Sequence, residues 1–108
     1  MRLFFVTMLL VVNVTNAADK GTAYKIVCKP MTDQKHIYDC VRMVANYTHF
    51  EDKALLICAS LALDESKTNC LDTLGDKTYK DYEIEECQAM PTDEKKVECL
   101  YDLGIYNP

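Results

Sequence analysis

With 108 residues and twelve Lys and Arg against seventeen Asp and Glu, the chain has a formal net charge of −5, which excludes phosphate-backbone binding by counterion release and attraction to anionic membranes. A chain this short makes at most one small domain, whose core is marginal enough that covalent staples are expected. Its six cysteines supply them, and an even count in a short chain reads as three bridges formed in an oxidising compartment.

Residues 1–17 read as a signal peptide. Arg2 gives a short positive region, Leu3 to Val12 an apolar run broken only by Thr7, and Thr15-Asn16-Ala17 a small-residue exit with cleavage after Ala17. The run is shorter than the ~20 residues that a membrane span needs. No hydrophobic C-terminal tail suggests a lipid anchor, and no membrane insertion is expected. The mature chain, residues 18–108, is expected to be secreted and extracellular, and loss of Arg2 takes its charge to −6.

The first predicted helix runs from Thr22, as cap, through Cys28, and Pro30 stops it. A second begins after Thr32-Asp33 and places Ile37, Cys40, Val41, Val44 and Ala45 on one face, with Asn46 as a left-handed stop. Asn46-Tyr47-Thr48 is also an N-glycosylation sequon, which reads equally as a glycan at an exposed helix end or as an unused three-residue match. Thr48 and Glu51 have the spacing of a capping box for the helix through Leu63. That helix is apolar nearly all round, which marks the middle of the chain as its core. Asp64 caps the next helix, with Cys70, Leu71 and Leu74 facing inward and Gly75 ending it. Thr78 and Asp81 open the next helix, with Ile84, Cys87 and Met90 inward. A turn at Pro91-Thr92-Asp93 leads to Val97, Cys99, Leu100 and Leu103, Gly104 as the last stop, and a tail expected to be poorly ordered.

Three cysteine intervals of equal length organise this string: Cys28 to Cys40, Cys58 to Cys70 and Cys87 to Cys99. Stacked without gaps, they also align Met31 with Leu61 and Met90, Val41 with Leu71 and Leu100, Val44 with Leu74 and Leu103, and Ala45 with Gly75 and Gly104. Each interval is centred on a predicted turn, and residues equidistant from the turn of a helical hairpin face each other, so each pair should bridge its own two helices. The expected fold is all-α: three disulfide-stapled αα-hairpin repeats, at about 22–46, 49–75 and 79–104, packed as a small helical domain with the middle hairpin innermost.

The residues offer little chemistry. His36, near Asp33 and Asp39, reads as a solvated surface histidine, and His49 as exposed. There is no hydrolase elbow, no zinc-binding helix motif and no spare cysteine, and the acidic run from Asp76 to Glu83 breaks the ligand scheme of a calcium loop at Thr78 and Lys80. No enzyme activity, metal or cofactor is expected. Six cysteines in a small helical secreted chain are similar to insect odorant-binding proteins, but the C-x-x-x-C pair of that family is absent. Small helical antimicrobial proteins of ticks are also similar, but their His-rich ends are missing, so no family is assigned. The expectation is a non-enzymatic protein that acts by binding a protein target, as a venom or salivary toxin-like component does, with the seven tyrosines as interface candidates. The alternatives are an extracellular carrier of a small apolar ligand, its cavity lined by the Leu55–Leu63 segment, or an innate-defence protein.

Overall fold

The computed structural model describes residues 17–108, so the leader assigned to residues 1–17 lies outside the described residues except for Ala17. Six helices form three hairpins among them. The first joins α1 (Lys20–Ala23), which runs on as a π-helical turn (Tyr24–Cys28), to α2 (Gln34–Ala45). The second joins α3 (Asp52–Ser60) to α4 (Asp64–Leu74), and the third α5 (Asp81–Gln88) to α6 (Asp93–Leu103). The bridges are Cys28–Cys40, Cys58–Cys70 and Cys87–Cys99, with Cα atoms 5.6, 5.4 and 5.3 Å apart, so each staple closes its own hairpin as turn symmetry requires.

The hairpins stack in two layers. The π-turn, α3 and α5 follow one another in the first layer, and α2, α4 and α6 in the second. The middle hairpin is therefore covered on both sides, and Leu55, Ile57, Cys58, Cys70, Leu71 and Leu74 are buried. Phe50, ahead of α3, is buried with them. Helix α3 is shorter than its composition suggests. It ends at Ser60, and Leu56 and Leu63 face solvent.

Four two-residue strands tie the stack at its edges. β1 (Ala17–Ala18) pairs antiparallel with β2 (Phe50–Glu51), setting Ala18 opposite Phe50. β3 (Lys77–Thr78) pairs with β4 (Ile105–Tyr106), setting Lys77 opposite Tyr106. The tail is thus ordered, because its backbone completes the ladder that the loop before α5 leaves open.

The helix ends differ from the expected ones for local reasons. Asp19, not Thr22, caps α1: its carboxylate accepts from the Thr22 N–H at 2.8 Å and brings Ala23 into the core. Asn46 stays right-handed at φ −75°, because the end of α2 tightens through bonds from the Asn46 N–H to the Met43 carbonyl and from the Tyr47 N–H to the Val44 carbonyl, and that needs no left-handed residue. Thr48 and Glu51 form no capping box, since the Thr48 amide is taken by Asp76. Asp64 is the first helical residue of α4 and not its cap. At α5 the reciprocal bond comes from Glu83, whose carboxylate accepts from the Lys80 N–H at 2.9 Å, while Thr78 is used in β3. Thr92 caps α6 by accepting from the Lys95 N–H.

Gly75 and Gly104 end their helices at φ −54° and −68°, so neither is there for left-handed freedom. A Cβ on Gly75 would lie 2.2 Å from Cγ of Tyr47, and one on Gly104 would lie 2.5 Å from the Tyr79 hydroxyl oxygen. In each case a tyrosine from the loop ahead of a hairpin sits on the small residue that ends it. In the second and third repeats the shared small position is the seat of an aromatic clamp.

Candidate functional site

Each predicted residue has a definite place. The cysteines are structural: five are fully buried, Cys99 nearly so, and all six are paired. Asn46 is exposed at the end of α2. Among the described residues, no group of three or more His, Cys, Asp or Glu side chains is placed to hold a metal ion, and no helix is long and apolar enough to cross a membrane.

Neither histidine is free in solvent. His36 Nδ1 lies 3.0 Å from Asp64 Oδ2 and 3.6 Å from Asp33 Oδ2, so it joins α2 to the start of α4 and does not pair with Asp39. His49 is partly buried, with Nε2 2.7 Å from the Asn107 carbonyl oxygen. Both hold one part of the fold to another.

Asp76 is the residue that sequence reasoning missed. It is buried and left-handed at φ 56°, a conformation that Asp tolerates better than most side chains. Its carboxylate accepts from the Thr48 and His49 amides at 2.7 and 3.0 Å, its own N–H donates to the His49 carbonyl, and its carbonyl accepts from the Asn107 N–H. One residue therefore joins the two inter-hairpin loops and the tail. Asp76→Ala removes the one oxygen that accepts from both partly buried amides and strains the backbone, and should cost about 3 kcal/mol. Asp76→Asn keeps Oδ1 as an acceptor and should cost less than half of that. Urea unfolding of the three chains measures the difference.

The clamp tyrosines account for two of the seven. Tyr47 packs edge-on against Phe50, with ring centroids 6.0 Å apart, and donates its hydroxyl to Asp72. That bond, with burial and the Asp72 charge added, pushes the phenol up to about 12. A phenol whose pKa rises on folding stabilises the fold fully below its ordinary value of 10.0, and that contribution is lost as pH climbs from there through about 12. Ultraviolet titration should accordingly show two of the seven tyrosinates appearing late, and Tyr47→Phe should abolish the earlier of the two while the still later Tyr79 remains. Tyr79 is buried and donates to the Leu100 carbonyl at 2.7 Å, and burial drives its phenol still further up.

The other five tyrosines are exposed: Tyr24, Tyr38, Tyr82, Tyr101 and Tyr106. Three of them belong to the third hairpin and its tail, where Tyr82, Tyr101 and Tyr106 are 61–67% exposed and Ile105 is equally open. Lys77 Nζ stands 4.9 Å from the Tyr101 ring centre and Lys80 Nζ 5.9 Å from that of Tyr82. These contacts hold each ring against a cation. The frame beneath is a stapled hairpin and a short strand pair, so the rings project from a fixed backbone. Such an arrangement offers amphipathic contact area with little ordering cost, the chemistry of a protein-binding surface.

The inward side chains of α3 are taken up by packing. Leu55, Ile57 and Leu61 are buried against protein neighbours, so a ligand placed there would have to displace core. Apolar lining is found instead in an open depression of about 350 Å³ between α1 and α2, bounded by Lys20, Tyr24, Val41 and Ala45. No protein-family model, no curated protein and no solved structure matches the chain.

Proposed function

We propose that this is a secreted, non-enzymatic protein that acts by binding a protein target, and that it is a venom or salivary component directed at a protein of another organism. The observation that carries the reading is the set Tyr82, Tyr101 and Tyr106, exposed beside Lys77 and Lys80 on a stapled frame. Rigid, water-facing aromatics with adjacent cations suit a partner that presents apolar groups and carboxylates. Three disulfides fit an oxidising, extracellular setting, and they suit a protein released into protease-rich fluid.

Native mass spectrometry of the protein taken from the fluid into which it is released tests this. A defined heteromeric mass that the Tyr82→Ser/Tyr101→Ser variant no longer forms supports the reading. A small apolar adduct of one-to-one stoichiometry, unaffected by that variant, replaces it with the carrier function. Secretion has its own check. Expressed with its leader in eukaryotic cells, the chain should appear in the medium cut after Ala17 and carrying one glycan, which Asn46→Gln removes.

A further inference from the structure

The repeat has a stacking register. Counted from the second cysteine of a hairpin, the residues at −6, −2, +1, +2 and +5 are Asp64, Thr68, Leu71, Asp72 and Gly75 in α4 and Asp93, Val97, Leu100, Tyr101 and Gly104 in and just after α6. These positions meet what comes before them in the chain. Asp64 pairs with His36, Asp72 with the Tyr47 hydroxyl, and Gly75 seats the Tyr47 ring. In the third hairpin Asp93 accepts from the Ala62 N–H at 2.8 Å, the Leu100 carbonyl accepts from Tyr79, Tyr101 meets Lys77, and Gly104 seats Tyr79.

In the first hairpin the same register reads Gln34, Tyr38, Val41, Arg42 and Ala45, and among the described residues no hairpin packs ahead of it. Leu71 and Leu100 are 0% exposed, whereas Val41 is 41% exposed and Tyr38 62%, with the Arg42 guanidinium 5.7 Å from the Tyr38 ring centre. The depression bounded by Tyr24, Val41 and Ala45 lies on this face. At the other end of the stack, the outer side of the third hairpin has a depression of about 290 Å³, lined by Met90, Cys99 and Leu103 and by Glu86, Glu98 and Asp102 against Lys95 alone. Charge follows the same division. Residues 18–46 hold five basic and three acidic side chains, and residues 47–108 hold six basic and fourteen acidic.

We propose that the open stacking face of the first hairpin (Tyr38, Val41, Arg42 and Ala45) receives the acidic outer face of the third hairpin of a second copy of this chain. The copies then continue head to tail the stack that the repeats begin within one chain. The contact is heterologous, so it generates chains or rings and not a two-fold dimer. Arg42 and Lys20 supply the positive side, Glu98 and Asp102 the negative, and Val41 fills the place that Leu71 and Leu100 fill inside the stack. The inference goes beyond target binding and does not rest on it, since it uses none of Tyr82, Tyr101 and Tyr106.

Sedimentation velocity on the full mature chain, from micromolar to millimolar, tests it. The wild-type mass should rise at least twofold with concentration and fall back as salt is added. Val41→Glu/Arg42→Glu and Glu98→Lys/Asp102→Lys change exposed side chains, so circular dichroism should match wild type while each variant alone stays at monomer mass. An equimolar mixture of the two should associate again, because each supplies the face that the other has lost. A wild-type chain that remains monomeric overturns the proposal, as does association that survives either variant or a mixture that stays monomeric.

Discussion

Replacing Cys58 and Cys70 together by alanine is expected to leave no cooperative thermal transition at body temperature. The bridge closes a loop of 12 residues' separation, for which the loop-entropy account gives about 3 kcal/mol. Both side chains are fully buried, so the lost sulfurs add a packing cost of about 1 kcal/mol each. Against a total stability that is only about 5 kcal/mol at the low end for small domains, that removes the fold. The other two bridges have the same separation, so the loop contribution is equal in all three. Cys87 is as fully buried as Cys58 and Cys70 while Cys99 is less so, and Cys87→Ala/Cys99→Ala, at the edge of the stack, should therefore lose about 4 kcal/mol and keep a weak but measurable melt. Calorimetry on both variants decides the matter: melting temperatures within a few degrees of each other would mean that the middle hairpin is not the centre of the core.

Gly75→Ala is expected to do as much damage as Asp76→Ala, by overpacking. Its methyl group would meet three atoms of the Tyr47 ring between 2.2 and 2.4 Å, and that ring is held by Phe50 on one side and by Asp72 at its hydroxyl. Overpacking of this kind costs about 3 kcal/mol, because neither the helix end nor the ring can yield alone. Tyr47→Ala makes the room that the methyl lacks, so the double variant should be more stable than the two separate losses predict, and denaturant melts of the four-chain cycle measure that coupling. Gly104→Ala should be somewhat milder, at about 2 kcal/mol, since Lys77 can swing aside, whereas the buried Tyr79 must shift and strain its bond to the Leu100 carbonyl.

The hairpins and their bridges were legible because their signals are local. Equal spacing of Cys28 to Cys40, Cys58 to Cys70 and Cys87 to Cys99 about three turns needs only helix geometry to become a pairing. The apolar register was legible too, but one member was misplaced. Val41 aligns with Leu71 and Leu100 and yet faces outward, because burial at that position comes from the hairpin before it and, among the described residues, the first hairpin has none. Gly75 and Gly104 were recognised as helix ends for a reason that does not apply. Their smallness answers to Tyr47 and Tyr79, 28 and 25 residues earlier, and no local rule carries that distance. Asp76 was hidden in the same way, within a run that composition marks as solvated charge. The candidate surface of Tyr82, Tyr101 and Tyr106 was visible only as an excess of tyrosine, and separating those rings from the two clamps required knowing which glycines they meet.

The order of the three bridges along the chain bears on how the molecule is made. Every cysteine is joined to its nearest neighbour in sequence, first to second, third to fourth, fifth to sixth. A chain entering an oxidising compartment from its N-terminus presents one native pair at a time, and a bridge closed between the two newest thiols is already the correct one. Oxidation in step with delivery therefore reaches the final pairing without reshuffling. Refolding of the reduced full-length chain, in which all fifteen pairings compete at once, has no such guidance.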